Sequence, residues 1–271
     1  MPGGRPFISL ATDFGAAYTA ICAGVIYNIA PAANVLVLSD EITPFAVTEG
    51  AMLLRQALPY LPAGVHVGIV DPGVGTSRHP VAVETGRGDV LIGPDNGLLS
   101  PAAEKLGGLV RAHRLENPAY RLREISTSFH GRDIFSPAAA HVASGVPIAE
   151  LGPRTELLPL DVPRPVRADR ALTVPLLYTD RYGSLILGAE RPDLTEAFGD
   201  LPYGTPITVS WTTPEGERAI EVLFVETFGC VARGEPLLWI DSSGLLGLAV
   251  NQGSAAATLG ITGPVTLRPG Y

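Results

Sequence analysis

Cysteine and lysine are scarce in this sequence, an excess of positive charge and long unbroken apolar runs are missing, and each lack excludes something. Cys22 and Cys230 are too few and too far apart to staple a disulfide framework or hold a zinc ion. Free, buried thiols are the expected state of both. His66, His79, His113, His130 and His141 match no metal-ligand spacing, so no metal is expected. Lys105 is the single lysine, and 19 basic against 27 acidic residues leave a formal charge of −8. That balance argues against a nucleic-acid or anionic-membrane surface, which needs clustered Lys and Arg. No segment approaches the ~18 apolar residues of a membrane span. The N-terminal MPGGRPFISLATDF lacks the charged-then-apolar plan of a secretory signal. A soluble, cytoplasmic protein is the expectation.

What is present is a chain of 271 residues, 46% hydrophobic and only 17% charged. It can bury a large core and is long enough for two domains. Residues 1–155 alternate strand-like and helix-like patterns. FISLAT (7–12), NVLVLSD (34–40), GVHVGIV (64–70) and the runs at 80–84 and 89–93 read as strands. Helices are expected from Tyr18 to Ala30, with Ile21, Val25, Ile26 and Ile29 on one helical face, from Thr48 to Tyr60, and from about Ser136 to Ser144. In the last of these, Ser136-Pro137 suits an N-cap with a first-turn proline, and Gly145 suits the stop. This order predicts an α/β/α domain with a mostly parallel sheet. Residues 156–170 are rich in Pro and Arg without periodicity and read as a linker. From 171 to 271, LTVPLLYT, SLILGA, PITVSW, AIEVLFVE, PLLWID, LLGLAV and PVTLR read as short strands of a smaller all-β barrel or sandwich.

Ligands of open parallel sheets bind beyond the carboxyl ends of the strands. Two acids are expected there: Asp13 in TDFG, after FISLAT, and Asp71 in VDPGVGTSR, after VHVGIV. Either could simply form a turn. The glycine-rich turn is no phosphate cradle, because Arg78 stands where a dinucleotide motif needs its third glycine and no Gly-Lys-Ser/Thr follows. In SFHGRDIFSPAAAH the polar trio His130, Arg132 and Asp133 approaches a helix N-terminus. No G-x-S-x-G elbow supports Ser-His-Asp hydrolysis, and PDNGLL (94–99) reads as a tight turn.

TDFG, VDPGVGTSR, PDNGLL, FHGRDIFSPAAAH and DSSGLLGLAVNQGSAA, in this order, closely resemble the S-adenosyl-L-methionine (SAM) hydroxide adenosyltransferases, relatives of the enzymes that fluorinate or chlorinate the same substrate. The resemblance implies an N-terminal α/β domain and a C-terminal β-barrel. It also implies hydrolysis of SAM to adenosine and L-methionine without a cofactor, and a homotrimer with sites shared between subunits. By motif, Asp71, Arg78 and His130 correspond to a water-activating triad, with the glycines of the turn letting the backbone pass close to the sugar. Asp13 corresponds to a ribose-hydroxyl ligand, Phe45 and Phe129 to packing around the adenosine, Asp180 to the ammonium ligand and Ser242 to the carboxylate ligand. Val250-Asn251-Gln252 would face the adenine, as would Ser184, which replaces the asparagine of a D-x-F-G-N pattern here read as Asp180-Arg181-Tyr182-Gly183-Ser184. Two alternatives stay open: a halide-dependent adenosyltransferase, disfavoured because Asp71 would repel an anion, and a non-catalytic SAM- or adenosine-binding protein.

Overall fold

FISLAT is apolar, short and followed at once by a turn, and it forms β1 (Phe7–Thr12), fully buried beyond its first residue. The computed structural model describes residues 6–270, so the MPGGR opening of the N-terminal reading lies outside the described residues. Contacts divide the chain after Asp161 into two units.

The first unit continues with α1 (Gly15–Ile29), β2 (Asn34–Ser39), α2 (Val47–Ala57), β3 (Val65–Ile69), β4 (Pro80–Thr85), β5 (Val90–Pro94), α3 (Ser100–Lys105), β6 (Leu109–Arg114), α4 (Ser136–Ala143) and β7 (Arg154–Thr155). The sheet order is β2-β1-β3-β5-β4-β6-β7. β2, β1, β3, β5 and β6 point one way, and β4 and β7 the other. The sheet is therefore mixed but mostly parallel. α1 and α4 pack over one face, on Ile8, Leu10, Val67 and Ile69. α2 and α3 cover the other, where a Cβ on Gly68 would stand 2.7 Å from Leu54.

Helix α1 departs from its predicted face. Its buried side chains are Thr19, Cys22 and Ile26, whereas Ile21 is exposed and Val25 and Ile29 are only partly covered. The reason is composition: α1 is apolar on every side and carries no charge, so periodicity could not choose the face that meets the sheet. Helix α4 departs in its start. A π-helical turn over Gly131–Phe135 precedes it, and Ser136 is helical rather than a cap, donating its hydroxyl to the Gly131 carbonyl at 2.7 Å.

In the second unit, β8 (Val166–Ala168) already pairs with β9 (Ala171–Val174), so regular structure resumes inside the stretch read as a linker. β10 (Leu176–Thr179), β11 (Leu185–Glu190), α5 (Arg191–Phe198), β12 (Thr205–Thr213), β13 (Gly216–Phe224), β14 (Pro236–Ile240), β15 (Leu245–Val250), α6 (Ala255–Leu259) and β16 (Val265–Pro269) follow. The nine strands form one sheet in the order β10-β11-β15-β14-β13-β12-β16-β9-β8. β11 and β9, six places apart in that order, touch each other. In a flat sheet they would be about 29 Å apart at ~4.8 Å per strand. The expected barrel is thus a strongly curled, open half-barrel around Val209, Phe224, Leu238 and Leu248. Cys22 is buried as expected, but Cys230 is exposed. Among the described residues no helix is long and apolar enough to cross a membrane.

Candidate active site

The site in the first unit starts from strand register. β1 and β3 are parallel neighbours with Thr12 opposite Ile69, so Asp13 and Asp71 leave the same edge of the sheet, one and two residues beyond that pair. The strand order 2-1-3 makes this gap the point where the sheet reverses its winding, the ordinary location of a crevice in such folds.

From Asp71 the chain turns sharply. The Val74 amide donates to the Asp71 carbonyl at 3.2 Å and the Thr76 amide to the Gly73 carbonyl at 3.1 Å. Gly75 has φ +76°, and a Cβ there would stand 2.5 Å from the Thr127 carbonyl oxygen. A glycine at this position therefore allows close packing of the turn on the segment leading to His130. This approach delivers Arg78 to its partners. Arg78 Nε donates to Asp71 Oδ1 at 3.0 Å, Nη2 donates to Oδ2, and Nη2 also donates to His130 Nδ1 at 3.2 Å. The Asp71 and Arg78 side chains are 7% and 6% exposed. The guanidinium lies over the Phe135 ring, 5.4 Å from its centroid. Its Nη1 is buried with no acceptor among the described residues.

The charges follow from this packing. Burial pushes the Asp71 carboxyl above the usual aspartate value, while the Arg78 ion pair works against that rise and the nearby Asp13 charge adds to it. Burial and the Arg78 charge push the His130 imidazole below its ordinary value. A guanidinium can only donate, so Nδ1 must accept and the neutral ring carries its hydrogen on Nε2.

His130 is the only member of the polar trio that turns to this cluster. Asp133 is fully buried, accepts from Arg132 Nε at 2.6 Å and from the Ser126 amide at 2.8 Å, and so pins the loop that carries His130. Burial alone would raise its pKa, but these donors hold it below the usual value. Phe129 packs edge-on against Phe14 (5.7 Å) and Tyr18 (5.4 Å), two aromatic residues that the sequence reading left unassigned. Asp13 Oδ2 accepts the Phe45 amide at 2.9 Å. Phe45 has φ +68°, a conformation that costs a non-glycine residue about 1–3 kcal/mol, and the residue is 72% exposed.

Another Ser-His-Asp alignment exists and is sealed. Ser9 Oγ lies 2.8 Å from His66 Nδ1, and His66 Nε2 lies 3.1 Å from Asp89 Oδ1, all at most 1% exposed. It ties β1 to β3 and to the start of β5, and no substrate can reach it.

In the second unit, Asp180 Oδ1 accepts the Tyr182 and Ser184 amides at 2.9 and 2.8 Å, which shapes the loop into β11. Ser184 and Val250 line an open cleft of about 510 Å³ with Tyr182, Phe228, Asn251 and Gln252. Ser242 is elsewhere: it sits exposed in the β14–β15 turn, whereas Val250 ends β15. The five residue steps along β15 separate the two ends by about 17 Å.

The sequence family described as SAM hydroxide adenosyltransferase matches through its N-terminal domain at residues 8–152 and its C-terminal domain at residues 175–266. A protein of Salinispora tropica named (R)-S-adenosyl-L-methionine hydrolase is 42% identical over 264 residues, 95% of each chain. One of the same name from Thermus thermophilus is 38% identical over 271 residues, covering 95% of this chain and 96% of its own. A crystal structure of an uncharacterized conserved protein from Thermotoga maritima superposes with a TM-score of 0.85 at 28% identity, over 96% of this chain and 99% of its own.

Proposed function

The chain belongs to the SAM hydroxide adenosyltransferase family, and on that premise we propose that it hydrolyses S-adenosyl-L-methionine to adenosine and L-methionine. The observation that carries this reading is the buried cluster of Asp71, Arg78 and His130 at the switch point of the sheet. A water oxygen forms the new bond to the ribose C5′. The C5′–S bond breaks with its electron pair passing to sulfur, so the sulfonium becomes the neutral thioether of methionine. The water's proton goes to Asp71, a general-base contribution of about 10²–10⁴-fold. Holding the water in line at ~3–3.5 Å from C5′ supplies much of the remainder.

Arg78 keeps the carboxylate ionised and oriented, and its Nη1, without a protein acceptor among the described residues, donates to the water oxygen in this reading. His130, with its hydrogen on Nε2, completes the hydrogen-bond set around the water in this reading. A carboxylate there disfavours a desolvated halide, which separates this reading from halogenation. Asp13 and the exposed Phe45 take the ribose and adenosine, with Phe129 beside them. The cleft of Ser184 and Val250 takes the adenine and Asp180 beside it the ammonium, whereas Ser242, at the far end of β15, is assigned the carboxylate by the family motif alone.

The assembly is a homotrimer whose sites are completed by a neighbouring subunit. Support comes from the uncharged surfaces of α1 and β2, which expose Ile21, Tyr27, Leu36 and Val37. Incubation of pure protein with SAM in halide-free buffer, with products resolved by chromatography, tests the activity. Adenosine with methionine is expected; halogenated adenosine formed only on adding halide, or intact SAM, would overturn the reading.

A further inference from the structure

The loop from Asp71 to Arg78 is rich in glycine, yet its two end residues must hold a bidentate geometry. Both ends are gripped by one turn, the PDNG segment after β5. On one side, Asn96 Nδ2 donates to the carbonyl of Val70 at 2.9 Å, the residue immediately before Asp71. On the other, the Asp95 amide donates to the carbonyl of His79 at 2.9 Å, the residue immediately after Arg78. The Asn96 amide cannot be reversed: a carbonyl only accepts, and Oδ1 in turn accepts the Leu98 amide at 3.2 Å. The turn is itself anchored, since Asp95 Oδ1 accepts the Leu158 amide at 2.9 Å and a Cβ on Gly97 would stand 2.8 Å from the Leu160 Cα. β3 ends at Ile69, so the Val70 carbonyl lies past the last strand residue, and Val70 is fully buried. Asn96 is its donor there.

We propose that Asn96 is a positioning residue for the water-activating cluster, acting through the Val70 carbonyl to fix the direction in which Asp71 leaves the sheet. This rests on the hydrolase reading above. Asn96 touches none of the three cluster side chains; it sets the backbone from which one of them projects. Displacements of about 1 Å at such a site can cost 10²-fold in rate, and supporting hydrogen bonds are what hold reacting groups within about 0.5 Å.

The test compares wild type with Asn96→Ala and with Asn96→Ser, which keeps a short donor and guards against misfolding of the alanine variant. kcat and KM for SAM are measured alongside NMR titration of the Asp71 carboxyl and the His130 ring. In Asn96→Ala, kcat should fall about 10²-fold with KM within about twofold, and both titrations should move, with Asn96→Ser intermediate. Folded variants with unchanged kcat and unmoved titrations would overturn the proposal. So would a loss of thermal stability alone, with kcat per folded molecule preserved. Should wild type fail to turn over SAM, the hydrolase reading falls, while the titrations still decide whether Asn96 sets the cluster's geometry.

Discussion

The bond from Arg78 Nη2 to His130 Nδ1, 3.2 Å long and spanning 52 residues of sequence, exists only while the imidazole is neutral. A protonated ring would turn a donor toward a permanent cation. The same guanidinium holds Asp71, so the cluster is assembled in one protonation state: aspartate ionised, histidine neutral.

That state sets the pH dependence. Burial raises the Asp71 pKa above the ordinary aspartate value, and burial and Arg78 lower the His130 pKa below the ordinary histidine value. As pH rises from acid Asp71 loses its proton and His130 becomes an acceptor, so kcat/KM should climb on an acid limb to a plateau, with the Asp71 step above and the His130 step below their ordinary values. Arg78 stays charged throughout, so the cluster supplies no alkaline limb below about pH 10. A profile measured from pH 4 to 10 checks this; a bell with a basic limb near pH 7 would contradict it.

Asp71→Asn keeps the shape and removes the base. Turnover should fall about 10²–10⁴-fold, roughly 3–5 kcal/mol of barrier, with little change in substrate binding. Single-turnover kinetics and calorimetry separate the two quantities. Near wild-type turnover would remove Asp71 from the proton path.

Ser184 is 4% exposed and lines the cleft with Val250. An asparagine there offers a donor and an acceptor to one base edge. Ser184→Asn should tighten SAM binding by about 0.5–1.5 kcal/mol, the net worth of a hydrogen bond, and sharpen discrimination against an inosyl analogue. Calorimetry in the Asp71→Asn background avoids turnover. Unchanged affinity and base preference would place the adenine elsewhere.

Asp89 is a stability residue and not a catalytic one. Burial alone would raise its pKa, but bonds from His66 and Arg87 carry it far below the usual range. A depressed acid stabilises above its unfolded value, about 3.9, and that contribution is lost as pH falls below it. Asp89→Asn should cost about 3 kcal/mol in urea denaturation at pH 7, by leaving partly exposed Arg87 without its buried counter-charge and weakening the contact to buried His66. The difference from wild type should shrink toward pH 3. A variant as stable as wild type at pH 7 would mean the ion pairs contribute nothing net.

Light scattering should find a trimer. Ile21→Glu combined with Tyr27→Glu, on the outer face of α1, should dissociate it and abolish activity together. A monomer with full activity would refute shared sites.

Alternation and apolar runs in the sequence determined most strands, because a period of two and a bounded β-branched run leave few other solutions, but β6, β7 and β8 carried no such signal and LTVPLLYT holds both β9 and β10. β1, β2 and β3 lie within a residue or so of their expected limits, and the acids at their ends were legible for the same reason. Five motifs in order carried the triad and the family. Local signals for α5 were also present and went unread: Glu190 and Asp193 form a reciprocal capping box with Pro192 in the first turn.

Tertiary structure alone decided the rest. Periodicity cannot orient a helix that is apolar all round, so which face of α1 is buried depended on the sheet it met. The reason for Gly75 lies in Thr127, 52 residues away, and the support beneath Asp71 lies in Asn96, 25 residues away. A turn's glycine or asparagine looks the same in sequence whether it merely reverses the chain or carries a load from elsewhere. The tautomer of His130 likewise has no sequence signature, because it is set by a donor that only the folded chain brings within reach.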